Sequence, residues 1–230
     1  MKASNKNPRP ASRAPRRRVL IVDDHPIMRQ GLVALINNEP DLTVCCEAET
    51  TREALQLLEQ RRPEIVVTDL SLPDRSGLEL IKDIAARFPE VPVLVLSMHD
   101  EAIYAERVLR AGGRGYVMKQ EGGRKLLDAI RAVLAGRTHV SERMSARIVE
   151  LFAGRRPAHE SPVSTLSDRE FEVFQLIGRG RATREIAAQM GLSIKTVEAH
   201  RLHIKEKLGL ESAAALTRHA VRWVESQNPA

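Results

Sequence analysis

Asp69 closes an apolar, β-branched run, Ile65-Val66-Val67-Thr68, and is followed by Pro73 and Gly77 in the stretch EIVVTDLSLPDRSG. The run reads as a buried strand with the carboxylate at its C-terminal end. In open α/β sheets ligands bind at that end. A carboxylate there is shielded on one side and reachable on the other, as a phosphate acceptor or metal ligand must be. Asp is also a common turn residue, so Asp69 alone decides nothing. Four further groups fall at equivalent places. Asp23 and Asp24 follow the run 19–22, Ser97 follows 91–96, and Lys119 follows 115–118. If the first and third strands are neighbours, three carboxylates crowd together, and like charges resist joint ionisation unless a cation sits among them. Oxygen-only ligands with room for water suit Mg2+. Ser97 adds a hydroxyl and Lys119 a point positive charge, both suited to a bound phosphoryl group.

These groups need a scaffold, and the pattern around them supplies one. Strands at 19–22, 42–47, 65–68, 91–96 and 115–118 alternate with helices at 26–36, 53–60, 78–88, 102–110 and 125–135. Repeated β-α units argue for a parallel sheet covered by helices on both faces. Right-handed crossovers leave few topologies, of which the flavodoxin-like order 2-1-3-4-5 is a common one.

The pieces VDDH (22–25), TDLSLPDRSGLEL (68–80), VLVLS (93–97) and GYVMK (115–119) resemble, in order and spacing, the receiver domain of bacterial two-component response regulators. The resemblance covers residues 18–138. It implies that Asp69 is the phosphoacceptor. It also implies that Asp23, Asp24, Asp69 and the backbone carbonyl of Ser71 hold Mg2+. Ser97 is then the switch hydroxyl, Tyr116 the switch aromatic and Lys119 the phosphoryl-contacting lysine. Tyr116 is expected to turn inward when Ser97 moves to the phosphoryl group. Gln120 departs from the pattern, since many receivers have proline there, and gives no case for a cis peptide. The implied donor is a phosphohistidine on a sensor histidine kinase.

The C-terminal part is built differently. A helix is expected at 141–152, with Met144, Ile148, Leu151 and Phe152 on one face, inside a linker, 139–161, that ends in a Pro- and Ser-rich stretch. Ser167 and Glu170 stand at capping-box spacing before an apolar helix. A short helix at 183–190, Gly191 and a longer helix at 194–208 then form a helix-turn-helix pattern. Ile194, Val197, Ile204 and Leu208 are expected on the core face of the longer helix. The segments LSDRE (166–170), REIAAQMGLS (184–193) and KTVEAHRLHIKEKLGL (195–210) resemble the LuxR-type DNA-binding domain of the NarL/FixJ group. That implies an all-α, four-helix domain over 162–230, with helix 193–208 in the major groove of double-stranded DNA and the last helix at a homodimer interface. Lys195, Glu198, Ala199 and Leu202 are the expected base readers, with Thr196, Arg201, His203 and Lys205 nearer the phosphates.

Charge agrees with two units. Of the net +6, residues 1–17 carry six basic and no acidic side chains, 18–138 sum to −3 and 139–230 to +3. A basic end suits a polyanionic partner. The tail 1–17 reads as a disordered basic extension without a membrane anchor, and no apolar run reaches the ~18 residues of a membrane span. Cys45 and Cys46 are the only cysteines. Adjacent, they form neither a disulfide framework nor a zinc site; they fit a reducing cytoplasm and read first as packing. The expected function is phosphorylation-controlled transcription regulation, with dimers forming on phosphorylation. Two alternatives are an adaptor whose helical end binds protein and a phosphohydrolase using Asp69. The latter is weakened by Ser71, which stands where haloacid dehalogenase-type enzymes carry a second Asp, so no enzyme activity on outside substrates is expected.

Overall fold

The computed structural model describes residues 15–152 and 162–227. The expected tail up to residue 14 and the segment 153–161 lie outside the described residues. Five strands, β1 (Arg17–Val22), β2 (Leu42–Ala48), β3 (Ile65–Thr68), β4 (Val93–Ser97) and β5 (Gly115–Met118), form one parallel sheet in the order β2-β1-β3-β4-β5. β1 thus begins at Arg17, one residue inside the expected tail. Between the strands run α1 (Pro26–Asn37), α2 (Thr51–Arg61), α3 (Gly77–Arg87) and α4 (Glu101–Arg110), and after β5 comes α5 (Gly123–Leu134).

The sheet is covered on both faces, which is why its central strands are apolar throughout. Val19 and Ile21 meet α1 and α5 through Leu32, Ile36, Leu126 and Ile130. Leu20 and Val22 meet α2 and α3 through Ala54, Leu58, Leu80 and Ile84. Val19, Leu20, Ile21 and Val22 are fully buried. Each such side chain contributes roughly 1.5–3 kcal/mol, so β1 anchors the strand end on which Asp23 sits.

α6 (Glu142–Phe152) and a 3-10 turn, Pro162–Thr165, lead to α7 (Asp168–Gly178), α8 (Thr183–Met190), α9 (Ile194–Lys207) and α10 (Ala213–Gln227). Met144 is buried and Ile148 packs against the core, as the face pattern of α6 requires. Ser167 and Glu170 form the expected capping box: the Ser167 backbone N–H donates to Glu170 Oε2 at 2.8 Å, and the Ser167 hydroxyl accepts from the Glu170 N–H at 3.4 Å. Gly191 takes φ 64°, the left-handed turn between α8 and α9 that a residue with a Cβ rarely adopts. Phe171, Phe174, Ile186, Val197, Ile204, Leu216 and Ala220 close the core of this helical unit. Ile194 is a correction: it is 47% exposed, not on the core face. It is the first residue of α9, and helical side chains lean toward the N-terminus, so its side chain projects past the start of the helix.

Candidate functional site

Lys119, the first residue of a 3-10 turn after β5, reaches back across the sheet. Its ammonium donates to Asp69 Oδ2 at 2.6 Å and to Asp23 Oδ2 at 2.8 Å. All three side chains are nearly buried, at 5%, 6% and 2% exposure. Burial works to strip the Lys119 proton, but the carboxylates of Asp69 and Asp23 outweigh it and hold its pKa above the ordinary value. The other Asp69 oxygen, Oδ1, accepts from the backbone N–H groups of Leu70 at 2.6 Å and Ser71 at 3.3 Å. The loop that makes these bonds closes tightly: a Cβ on Gly77 would lie 2.4 Å from the Asp69 carbonyl oxygen. Gly77 is therefore what lets α3 start against Asp69.

Asp24 lies with Asp23 and His25, their ligand atoms within 4.8 Å of one another. His25 Nδ1 is 2.8 Å from Asp24 Oδ1, yet that buried oxygen has no hydrogen bond of acceptable geometry. A buried carboxylate oxygen with a free lone pair beside a second carboxylate is what a hard cation completes. The residues present therefore fit Mg2+. Arg29, which donates to the Asp23 carbonyl at 2.7 Å, and His25 escaped the sequence reading, though His25 is part of the VDDH motif.

Ser97 is fully buried, and its hydroxyl accepts from the His99 N–H at 3.4 Å. Tyr116 is 1% exposed, and its hydroxyl donates to the His99 carbonyl at 2.8 Å. The ring therefore stands in the inward position in this structure. Ser71, two residues after Asp69, has its hydroxyl 2.9 Å from His99 Nε2. The pocket over Asp69, about 510 Å³, is lined by Ser71, Ser97, His99 and Lys119, and by Arg179 from beyond α7. Exposed Ile27, Met28 and Met98 also line it.

A second set of contacts joins the two units. Arg107 of α4 donates to Asp168 at 3.1 Å and to the Val163 carbonyl at 3.2 Å, and its guanidinium lies 4.4 Å from the centre of the Phe171 ring. Lys82 and Asp168 pair at 2.7 Å, as do Glu79 and Arg169 at 2.9 Å. The Gln175 amide donates to the Tyr104 hydroxyl. Burial would raise the Asp168 pKa, but Lys82 and Arg107 outweigh it and hold it below the ordinary value. The receiver unit thus grips α7.

The face of α9 is left open. Lys195, Thr196, Glu198, Ala199, Leu202 and His203 are exposed, while Arg201 and Lys205 are half-buried. Ser193 caps this helix as expected, accepting from the Thr196 N–H at 3.0 Å. Lys207 is engaged inside the domain, with its ammonium 2.6 Å from Glu170.

Residues 19–131 match the response regulator receiver domain, and residues 164–220 match the bacterial regulatory proteins of the luxR family. The chain is 38% identical over 210 residues to the oxygen regulatory protein NreC of Staphylococcus aureus, a match spanning 89% of this chain and 97% of that one. It is 36% identical to NreC of Staphylococcus haemolyticus over 212 residues, with the same coverage. Among solved structures, RcsB from Salmonella enterica serovar Typhimurium, bound to promoter rprA in the presence of the phosphomimetic BeF3−, superposes with a TM-score of 0.71. It is 29% identical and covers 90% of this chain and 99% of its own. Fold, site and relatives agree: the chain belongs to the two-component response regulators that join a receiver to a LuxR-type DNA-binding domain, a family of phosphorylation-controlled transcription regulators.

Proposed function

We propose that Asp69 is the phosphoryl acceptor and that α9 delivers the result to promoter DNA. The observation that carries the first part is the Lys119 ammonium bridging Asp69 and Asp23 at 2.6 and 2.8 Å in a nearly buried pocket. Phosphoryl transfer asks a protein for positioning and charge neutralisation more than for covalent chemistry. An Asp69 oxygen attacks the phosphorus of a phosphohistidine on a sensor kinase; the new P–O bond forms as the P–N bond breaks. Lys119 neutralises the oxygens it already faces, and Ser97 offers its hydroxyl to the phosphoryl group. Asp23, Asp24, Asp69 and the Ser71 carbonyl would hold Mg2+, which supplies further charge neutralisation when bound. The exposed Ile27 and Met28 beside the pocket suit an apolar kinase surface.

The DNA-facing residues are Lys195, Glu198, Ala199 and Leu202 for base edges, with Thr196, Arg201, His203 and Lys205 toward phosphates. The exposure of six of these, all but the half-buried Arg201 and Lys205, on one helix supports this reading. The grip on α7 supports a receiver that restrains the DNA-binding domain until phosphorylation, without covering α9. The phosphorylated protein then dimerises.

The test uses the full chain with an acyl phosphate donor and Mg2+. The expected result is one acid-labile phosphoryl group, tighter DNA binding and dimer formation for wild type, all absent in Asp69→Ala. Label that persists on Asp69→Ala would remove Asp69 from the role. Equal DNA binding by both proteins under all conditions would remove it as the control point.

A further inference from the structure

In a regular strand adjacent side chains point to opposite faces, so neighbouring cysteines cannot meet. In β2 they do: Cys45 Sγ and Cys46 Sγ are 3.2 Å apart. The cause is a β-bulge. Val19 pairs with Val44 and Leu20 with Cys46, which leaves Cys45 without a partner on β1. The side chains confirm the extra residue. Val44 packs with Leu42 into the cluster under α1 and α5, whereas Cys46 joins Ala48 in the cluster under α2 and α3. Without the bulge all four would share one face.

We propose that this bulge makes Cys45 and Cys46 a two-thiol chelating site for a trivalent, thiophilic metalloid of the arsenite class. β2 is an edge strand and both thiols are half-buried, so a small solute reaches them. With bonds of about 2.3 Å, as sulfur makes to zinc, a span of 3.2 Å corresponds to roughly a right angle at the central atom. That is tighter than tetrahedral zinc takes and suits a three-coordinate pyramidal centre. Among the described residues, the only group of three or more His, Cys, Asp or Glu side chains placed to hold a metal is Asp23, Asp24 and His25, so neither thiol belongs to a larger ligand set. A structural zinc site needs four ligands; a trivalent centre is satisfied by two thiolates and one hydroxide.

The electrostatics favour ligation. Hydrogen bonding from the Cys46 thiol, opposed by burial and aided by Arg18, holds the Cys45 pKa down at about 6. The thiolate is the ligating form. Cys46 is pushed up by the same contact and keeps its proton until the ligand arrives. The step balances without redox. Arsenous acid forms two S–As bonds as two As–O bonds break. The Cys46 thiol proton leaves with one displaced hydroxide as water, the second hydroxide is protonated from solvent because Cys45 enters as the thiolate, and the third hydroxide stays on arsenic.

Phenylarsine oxide added to the full-length protein tests this. Native mass should show one arsenical per chain, and a maleimide should find both thiols blocked. The adduct should survive excess 2-mercaptoethanol and be released by 2,3-dimercaptopropanol. Cys45→Ser and Cys46→Ser should each lose retention at least tenfold. The wild type unfolded in urea should also bind at least tenfold more weakly, a comparison that needs no variant to fold. An adduct on one thiol only, removed by the monothiol, would overturn the site. Equal capture by folded and unfolded chains would show that the bulge builds nothing.

Discussion

His99 lies flat against Tyr104, their ring centroids 4.7 Å apart and their planes 20° from parallel. On one side His99 holds the Ser71 hydroxyl, two residues from Asp69. On the other, Tyr104 meets the edge of Phe171 in α7 at 5.2 Å, and Phe171 meets Trp223 in α10 at 5.4 Å. A line of packed side chains therefore runs from the Asp69 pocket into the LuxR-type domain. Each aromatic pair contributes about 0.5–1.5 kcal/mol beyond its buried area. Tyr104→Ala removes two pairs and the Gln175 bond, so the units should separate more readily. Small-angle scattering of the unphosphorylated variant should give a larger radius of gyration, with DNA binding closer to that of phosphorylated wild type. An unchanged radius would mean that Tyr104 does not hold the domains together.

The same histidine gives a pH signature. Burial holds His99 below the ordinary histidine pKa; Asp69 works the other way, and Arg179 and Lys119 add to the lowering. The unfolded chain takes up a proton near the ordinary value of about 6.5 that the folded chain refuses. Stability from neutral His99 is thus complete above that pH and lost as pH falls through the lowered folded value. The slope is at most about 1.4 kcal/mol per pH unit for one proton. His139 is lowered by burial too, so the informative quantity is the difference between proteins. Denaturant titrations from about pH 7.5 to about pH 5 should show wild type losing stability faster than His99→Gln. Parallel profiles would mean that His99 protonates as freely folded as unfolded.

Much of this was legible because burial on two faces writes continuous apolar runs. The runs of β1, β3 and β4 are such, and Asp23, Asp69 and Ser97 stand at their ends. Capping chemistry is equally local, so Ser167, Glu170 and Ser193 announced α7 and α9. What was not legible is non-local or conformational. The bulge at Cys45 is a skip in register against β1, which changes no residue type. Arg107 and Asp168, 61 residues apart, each look like ordinary surface charges until α4 and α7 meet. The motif around Tyr116 carries its residue type but not the side its ring occupies, which only its bond to the His99 carbonyl shows.

Lys119→Ala separates charge neutralisation from folding. It leaves Asp23 and Asp69, both buried, without the ammonium that bonds each. Removing one partner from a buried ion pair typically costs about 3–5 kcal/mol. Here the loss should be smaller when Mg2+ is present, because a cation can replace the missing charge. Chemical denaturation with and without Mg2+ should show the metal stabilising the variant more than wild type. Equal effects would argue that the carboxylates do not share a cation.

Lys205 and Lys207 lie two residues apart on α9 and should behave differently. Lys205 is half-buried and makes no ion pair among the described residues, whereas Lys207 is bound to Glu170 at 2.6 Å. Burial pushes the Glu170 carboxyl up, but Lys207 and the bonds from Ser167 outweigh it and hold it below its ordinary value. Lys207→Ala should therefore cost about 1 kcal/mol of domain stability, a figure kept low because water screens the exposed ammonium. Its effect on the salt dependence of DNA binding should be small. Lys205→Ala should leave stability nearly unchanged and flatten the plot of log affinity against log salt by about 0.9, the loss of one phosphate contact. Measuring both slopes on one DNA fragment decides the matter: an unchanged slope for Lys205→Ala, or an equal drop for Lys207→Ala, would turn the helix relative to the duplex from the orientation proposed here.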